Sequence, residues 1–273
     1  MAITVQNNNF GIGRIGGTGI GNNDGQGLFS EHSAPRFDLG AKLEFSDGRV
    51  FRYTKAGAAI TAGHLVGQDF SAGNIAEFDD ATISPVTAGS TVITITASAL
   101  SGVDDVNELA GSYLMTVDGD GEYYSYKIKS HGVESSNAVE FTLYDPLHTA
   151  IASGTTDLQI IAPAFRQVVT NTVPASGTGD SLPVGVSFRG LTSDYYGWIQ
   201  TGGIACVRYD VNSATAADMH NGRPMVVSVN TAGEVSPANV HASNNDLVSV
   251  IGTLAYGDAI DEQQCAVYLN LPV

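Results

Sequence analysis

Lys42-Leu43-Glu44-Phe45-Ser46-Asp47-Gly48-Arg49-Val50-Phe51-Arg52-Tyr53-Thr54-Lys55 decides the class of fold. Apolar and polar residues alternate on both sides of Ser46-Asp47-Gly48. A period of two puts one set of side chains against a core and the other in water. Asp-Gly supplies the positive φ that a tight turn needs. The stretch reads as a β-hairpin. Moving outward, TVITITAS (91–98) alternates strictly, as a half-buried strand does, and SYLMTVDGDGEYYSYKIKS (112–130) places a Gly/Asp turn between two aromatic-rich runs, a second hairpin. VEFTLYD (139–145), LQIIAPAF (158–165), VGVSFRG (184–190), YYGWIQTGG (195–203), IACVRYDV (204–211), RPMVVSV (223–229), LVSVIGTLAY (247–256) and CAVYLNLPV (265–273) continue in the same style.

Turn signals recur about every ten residues, the spacing of an all-β sandwich or barrel. Only Val103–Gly111 and Thr215–Gly222 suggest helix, and each is too short to stand alone. No fixed internal repeat points to a propeller or solenoid. The expected fold is all-β: a sandwich- or barrel-like β body or two small β lobes, with an extended Gly/Asn-rich N-terminal arm and little helix. The expected divisions are an arm over 1–40, an N-terminal β lobe over 41–161 and a C-terminal β lobe over 162–273. Val169–Pro183 (VTNTVPASGTGDSLP) reads as a long loop or crossing segment.

The arm opens MAITVQNNNFGIGRIGGTGIGNNDGQG, where Gly and Asn dominate and Phe10, Ile12, Ile15 and Ile20 stand apart. Such a chain loses much backbone entropy on ordering and cannot pack a core of its own. It is either a tail or an arm ordered by a neighbour. The spaced apolar residues favour the arm, because linkers lack apolar anchors.

Composition narrows the function. The 273 residues carry 12 Lys+Arg against 28 Asp+Glu, a formal charge of −16, and 32 Gly. Hydrophobic residues make up 43%, enough for a real core. A strongly acidic chain repels phosphate backbones, which argues against nucleic acid as a partner. No apolar run approaches the roughly 18 residues of a membrane span. The N-terminus has no basic flank and no apolar stretch, so no secretory signal is expected. Charge is also uneven. Residues 1–55 hold six basic and five acidic side chains, leaving six basic and 23 acidic in the rest. The pattern suggests a neutral-to-basic end that touches something and an acidic body that faces water.

No motif makes a convincing catalytic or ligand site. Gly11-Ile12-Gly13-Arg14-Ile15-Gly16 satisfies GxGxxG, but the dinucleotide mechanism needs a strand before it and a helix after it, and neither is expected. Asp118-Gly119-Asp120-Gly121-Glu122 clusters three carboxylates without the ligand spacing of a calcium loop, and reads as a turn. The six His are scattered and Ser187 lacks the spacing of a nucleophile elbow. Cys206 and Cys265 lie in apolar runs and read as small buried hydrophobes, a disulfide depending on close Cβ atoms. Tyr195, Tyr196 and Trp198 suggest a strand packing a core or a subunit interface, with a sugar-stacking platform as the alternative. No enzyme activity, metal or cofactor is expected.

Three stretches carry a resemblance to a known family. YYGWIQTGGIACVRYD (195–210) resembles a strand pair of tailed-phage head decoration proteins, also called cement or head-stabilisation proteins. HNGRPMVVSVNTAGEVSPA (220–238) resembles the next hairpin, and LVSVIGTLAYGDAIDEQQCAVYLNLPV (247–273) the C-terminal pair. The resemblance implies a structural virion protein on the outer surface of an assembled capsid, made in the host bacterial cytoplasm. Its partners would be the major capsid protein and further copies of itself, as a homotrimer, with no nucleic acid, membrane or cofactor. On that reading Phe10, Ile12, Ile15 and Ile20 anchor a docking arm and Arg14 pairs with a shell carboxylate. Another phage particle component (tail, baseplate or fibre-associated) and a carbohydrate-binding β module are the alternatives.

Overall fold

A computed structural model of the chain describes residues 14–16, 26–69, 75–78, 82–100, 103, 105–152, 156–172, 181–210, 220–238, 249–256 and 264–271. The chain divides into two compact units. Unit 1 takes residues 1–69 and 164–273, and unit 2 takes 70–163. The division differs from two successive lobes: residues 41–69 belong with the C-terminal half, and unit 2 is an insertion. Both units are antiparallel β, as the alternation requires, and the single helical turn described is a 3-10 turn at Ser98–Leu100.

Unit 1 begins with β1 (Arg14–Gly16), β2 (Lys42–Glu44), β3 (Val50–Lys55) and β4 (Leu65–Gln68). Unit 2 supplies β5 (Ile75–Phe78), β6 (Thr82–Ile83), β7 (Val92–Thr96), β8 (Tyr113–Gly119), β9 (Ser125–His131), β10 (Ala138–Leu143) and β11 (Thr156–Ile161). Unit 1 resumes with β12 (Val168–Thr170), β13 (Leu182–Val186), β14 (Tyr196–Arg208), β15 (Pro224–Val227), β16 (Val235–Pro237), β17 (Val250–Tyr256) and β18 (Gln264–Asn270).

The main path of the unit 1 sheet runs β1-β2-β3-β14-β18-β17-β15-β16, with β13 pairing β14 and β4, and β12 pairing β4. The β2–β3 hairpin closes as its sequence requires. Phe45 N–H donates to Arg49 O (2.9 Å), Gly48 N–H donates to Phe45 O (3.0 Å), and Gly48 holds φ at 86°.

β14 departs from the expected strand pair. Thr201-Gly202-Gly203 reads as a turn, yet residues 196–208 form one 13-residue strand. Its first part pairs with β3 and its second with β18, and the register shifts between Gln200 and Gly202. The glycines therefore make a bulge, which bends a strand and re-aims its side chains. Gly203 sits at φ 75°, and a Cβ there would lie 2.6 Å from Gly48 O. Only glycine tolerates both the left-handed backbone and the close approach of the β2–β3 turn.

Two packing clusters flank this bend. Phe45, Phe51, Tyr53 and Trp198 form an aromatic cluster, with Phe37, Phe188 and Tyr196 packed against it. Ala205, Val207, Tyr209, Met225, Ile251 and Val267 belong to a largely aliphatic cluster under the second half of β14. Cys265 lies in that cluster and its burial pushes the thiol up to about 12. Cys206 is exposed, which corrects the expectation of two buried cysteines. The register sets Cys206 opposite Ala266 and Cys265 opposite Val207, so the two thiols point to opposite faces and both are free.

Unit 2 is a seven-stranded sheet in the order β5-β11-β8-β9-β10-β7-β6. Inward residues from most of these strands, including Ile93, Leu114, Ile128, Phe141 and Leu158, share one core cluster. Within the expected helix at 103–111, residues 106–111 are a run of turns: Asn107 holds φ at 62° and Gly111 at 85°, conformations that interrupt a right-handed helix. Most of the other helix candidate, residues 215–219, lies outside the described residues. The expected loop at 169–183 begins inside β12 and ends inside β13. Its flanks are tied by Thr172 N–H to Ser181 Oγ (2.9 Å) and Ser181 Oγ to Asn171 Oδ1 (2.9 Å).

Candidate functional site

The arm meets the body at Gln26. That side chain is 6% exposed. Its Nε2 donates to Ser30 O (2.7 Å) and Tyr196 O (2.7 Å), and its Oε1 accepts from Tyr53 Oη (2.6 Å). Its carbonyl accepts from Trp198 Nε1 at 3.3 Å. A buried amide with its groups satisfied this way is a fixed point, because losing one partner strands the others. Arg36 N–H donates to Tyr53 Oη (3.0 Å), and burial pushes the Tyr53 phenol up. Leu28, Phe37 and Leu39 pack against the same aromatic cluster. Residues 26–40, expected in the arm, are therefore part of the body.

Upstream of that root, Arg14–Gly16 forms an edge strand. Arg14, Ile15 and Gly16 pair with Glu44, Leu43 and Lys42. The last three residues of the glycine motif are thus in a strand, and residues 17–25, where the helix of the dinucleotide mechanism would run, lie outside the described residues. Of the proposed anchors, Arg14 and Ile15 lie on this strand, while Phe10, Ile12 and Ile20 lie outside the described residues.

The neutral-to-basic end is largely paired internally. Lys42 Nζ lies 2.7 Å from Glu44, and Arg49 Nε lies 2.7 Å from Asp47. The hydrogen bond and charge of Lys42 hold the Glu44 carboxyl below its ordinary range, and the Arg49 backbone N–H does the same for Asp47. Arg52 donates to Gly40 O at 2.9 Å. Such exposed pairs contribute little stability. They do cap the cations, so Lys42, Arg49 and Arg52 present little bare positive charge at this end. An open depression of about 200 Å³ lies among Lys42, Arg52, Asn270 and Leu271, small for an organic cofactor.

A second surface lies on the outer face of β14, β18 and β17. Ile204 pairs with Tyr268 and Tyr268 with Thr253; Cys206 pairs with Ala266 and Ala266 with Tyr256. Ile204, Tyr268 and Tyr256 are all exposed. Every second residue of IACVRYD and CAVYLN fills the core, which leaves this apolar set facing out. That phase is readable in the sequence once the buried set is fixed.

The aromatic run is divided. Trp198 is fully buried and Tyr196 stacks on Tyr53 at 6.1 Å between centroids, while Tyr195 is half-buried just before β14. A buried indole offers no ring to a sugar, and Trp198 and Tyr196 pack in the aromatic cluster. Asp118–Glu122 forms the β8–β9 turn, with Gly119 and Gly121 at φ 80° and 86°. Among the described residues no group of three or more His, Cys, Asp or Glu could hold a metal ion. Ser187 is buried and its Oγ donates to Arg189 O, a structural bond. His131 accepts from Leu109 N–H (2.7 Å), His148 stacks on Tyr124 and His64 contacts Arg208, three separate settings. Compared with known proteins, the chain matches no family model, no curated protein and no solved structure.

Proposed function

We propose that this chain is a structural virion protein that binds the outer surface of an assembled tailed-phage capsid and stabilises it. One observation carries the reading: a Gly/Asn-rich segment is rooted at the buried Gln26 and lays residues 14–16 along the edge of the larger sheet. An arm fixed at its root starts its search for a neighbour from a defined point, which raises the effective concentration of its anchors. Phe10, Ile12, Ile15 and Ile20 would bury apolar area on shell subunits, with Arg14 on a shell carboxylate. The apolar outer face of β14, β18 and β17 is a second adhesive patch, suited to contact with further copies in a homotrimer. Binding only the assembled shell would stabilise that state by mass action.

The test is deletion of residues 2–25, which stops short of Gln26 and spares the buried network. Co-sedimentation with shells of the major capsid protein should show at least a tenfold loss of affinity while the body keeps its thermal midpoint. Unchanged coating by the truncated protein would overturn the reading.

A further inference from the structure

Unit 2 spans 13 acidic residues and two basic ones, Lys127 and Lys129, a formal charge of −11. Both lysines are exposed on the same face of β9, two residues apart. Neither has an ion-pair partner among the described residues, although carboxylates outnumber them more than sixfold. On one side Lys127 is directly opposite Tyr113 of β8. On the other, Tyr144 N–H donates to Lys127 O (3.0 Å), and Lys127 Nζ lies 5.8 Å from the Tyr144 ring centroid. Tyr113 is 45% exposed and Tyr144 58%. Two tyrosines thus flank a cation across three neighbouring chain segments of one solvent-facing sheet.

We propose that this row binds an acidic polysaccharide, a chain of pyranose sugars with about one carboxylate per disaccharide. The chemistry is specific. Tyrosine rings offer flat apolar faces to the C–H faces of pyranoses, and their hydroxyls stay wet. Tyr113 and Tyr144 stand two strand spacings apart, about 10 Å, the length of a disaccharide in an extended β-linked chain. Lys127 and Lys129 lie about 7 Å apart along the strand, so either can meet a carboxylate between the two stacked sugars. Charge density separates this ligand from nucleic acid. A duplex carries one charge per roughly 1.7 Å and would feel the whole acidic unit. A sparse polyanion needs only the local pair, because charges beyond about 8 Å are screened at physiological salt.

The inference stands on unit 2 alone and does not depend on the capsid reading. Titration of the full chain with a hyaluronan hexasaccharide, with chitohexaose as the neutral comparison, tests it. Binding to hyaluronan should exceed binding to chitohexaose and weaken as salt rises. Tyr113→Ala and Tyr144→Ala should each weaken it about tenfold or more, equal to about 1.4 kcal/mol, with unchanged thermal midpoints, while Tyr144→Phe, which keeps the ring, should bind like the parent. Lys127→Gln with Lys129→Gln should erase the preference over chitohexaose. No binding to hyaluronan would overturn the proposal, as would binding indifferent to both alanine variants or equal for the neutral and acidic chains.

Discussion

Unit 1 turns most of its described aromatic rings inward, Phe29, Tyr256 and Tyr268 being exposed, and unit 2 turns most of its described ones outward. In unit 1, Phe45, Phe51, Tyr53 and Trp198 form a buried cluster in which Phe45 meets Phe51, and Tyr53 meets Trp198, edge to face. In unit 2 the core is largely Ile, Leu and Val with Tyr126 and Phe141, while Tyr113, Tyr123, Tyr124 and Tyr144 are exposed. The two regions share strand chemistry and antiparallel pairing, so the difference lies in what the rings are for. Inward rings hold a body together and fix the root of an arm. Outward rings add nothing to a core that aliphatic residues already fill, and are free to meet a ligand.

The sharpest way to break this contrast is Trp198→Ala. Removing a fully buried indole should cost about 3–5 kcal/mol, read as a lower denaturant midpoint. A loss below about 1 kcal/mol would mean that the inward cluster does not carry unit 1. Gln26→Ala probes the polar side of the same cluster. It removes the acceptor of the Tyr53 hydroxyl, which keeps only the Arg36 N–H, and it takes a donor from Ser30 O and from Tyr196 O, the latter keeping the His32 N–H, so about 1–3 kcal/mol should be lost.

A third test uses pH. His64 Nε2 meets Arg208 at 3.2 Å, and its Nδ1 is buried without a partner beside Gly233. Burial, then the Arg208 charge, hold the imidazole below its ordinary value of 6.5. Glu234 faces the same group through its pair with Arg208 (3.2 Å). Between the lowered folded pKa and the unfolded one, the unfolded chain binds more protons. Stability is therefore full above about pH 6.5 and falls as pH drops through that window. His64→Gln should flatten this slope in urea titrations, and an unaltered slope would remove His64 as its source. The smallest effect is expected on the outward side: Tyr113→Ala and Tyr144→Ala should change stability by no more than about 0.5 kcal/mol.

Much of this architecture was legible in the sequence, and the reason is local. Strand alternation at 92–96 and the turns at 46–48 and 119–122 are decided by near neighbours, so period and turn chemistry found them. What was hidden depends on distant partners. Thr201-Gly202-Gly203 looks like a turn unless one knows that the Gly48 carbonyl presses against Gly203. Residues 26–40 look like more of the arm by composition, because the groups that seize Gln26 lie on Tyr53, Tyr196 and Trp198. The nested order of the units is equally remote from local pattern, since β3 finds its partner β14 across the whole insertion. At the candidate surfaces, the sequence offered the strands of Tyr113 and Tyr144 but not their shared row. That row exists because of the β8–β9 register.

The way the insertion joins its host has a further consequence. Asp69 N–H donates to Gln167 O at 3.1 Å, and Gln68 pairs with Val168 on the adjacent strands β4 and β12. The polypeptide leaves unit 1 and comes back at almost the same spot, so a short loop could splice over residues 70–163 without stretching the host sheet. Unit 2 is thus a cassette, exchangeable for a passenger of different size whose ends lie close together, and this makes the host a natural platform for display.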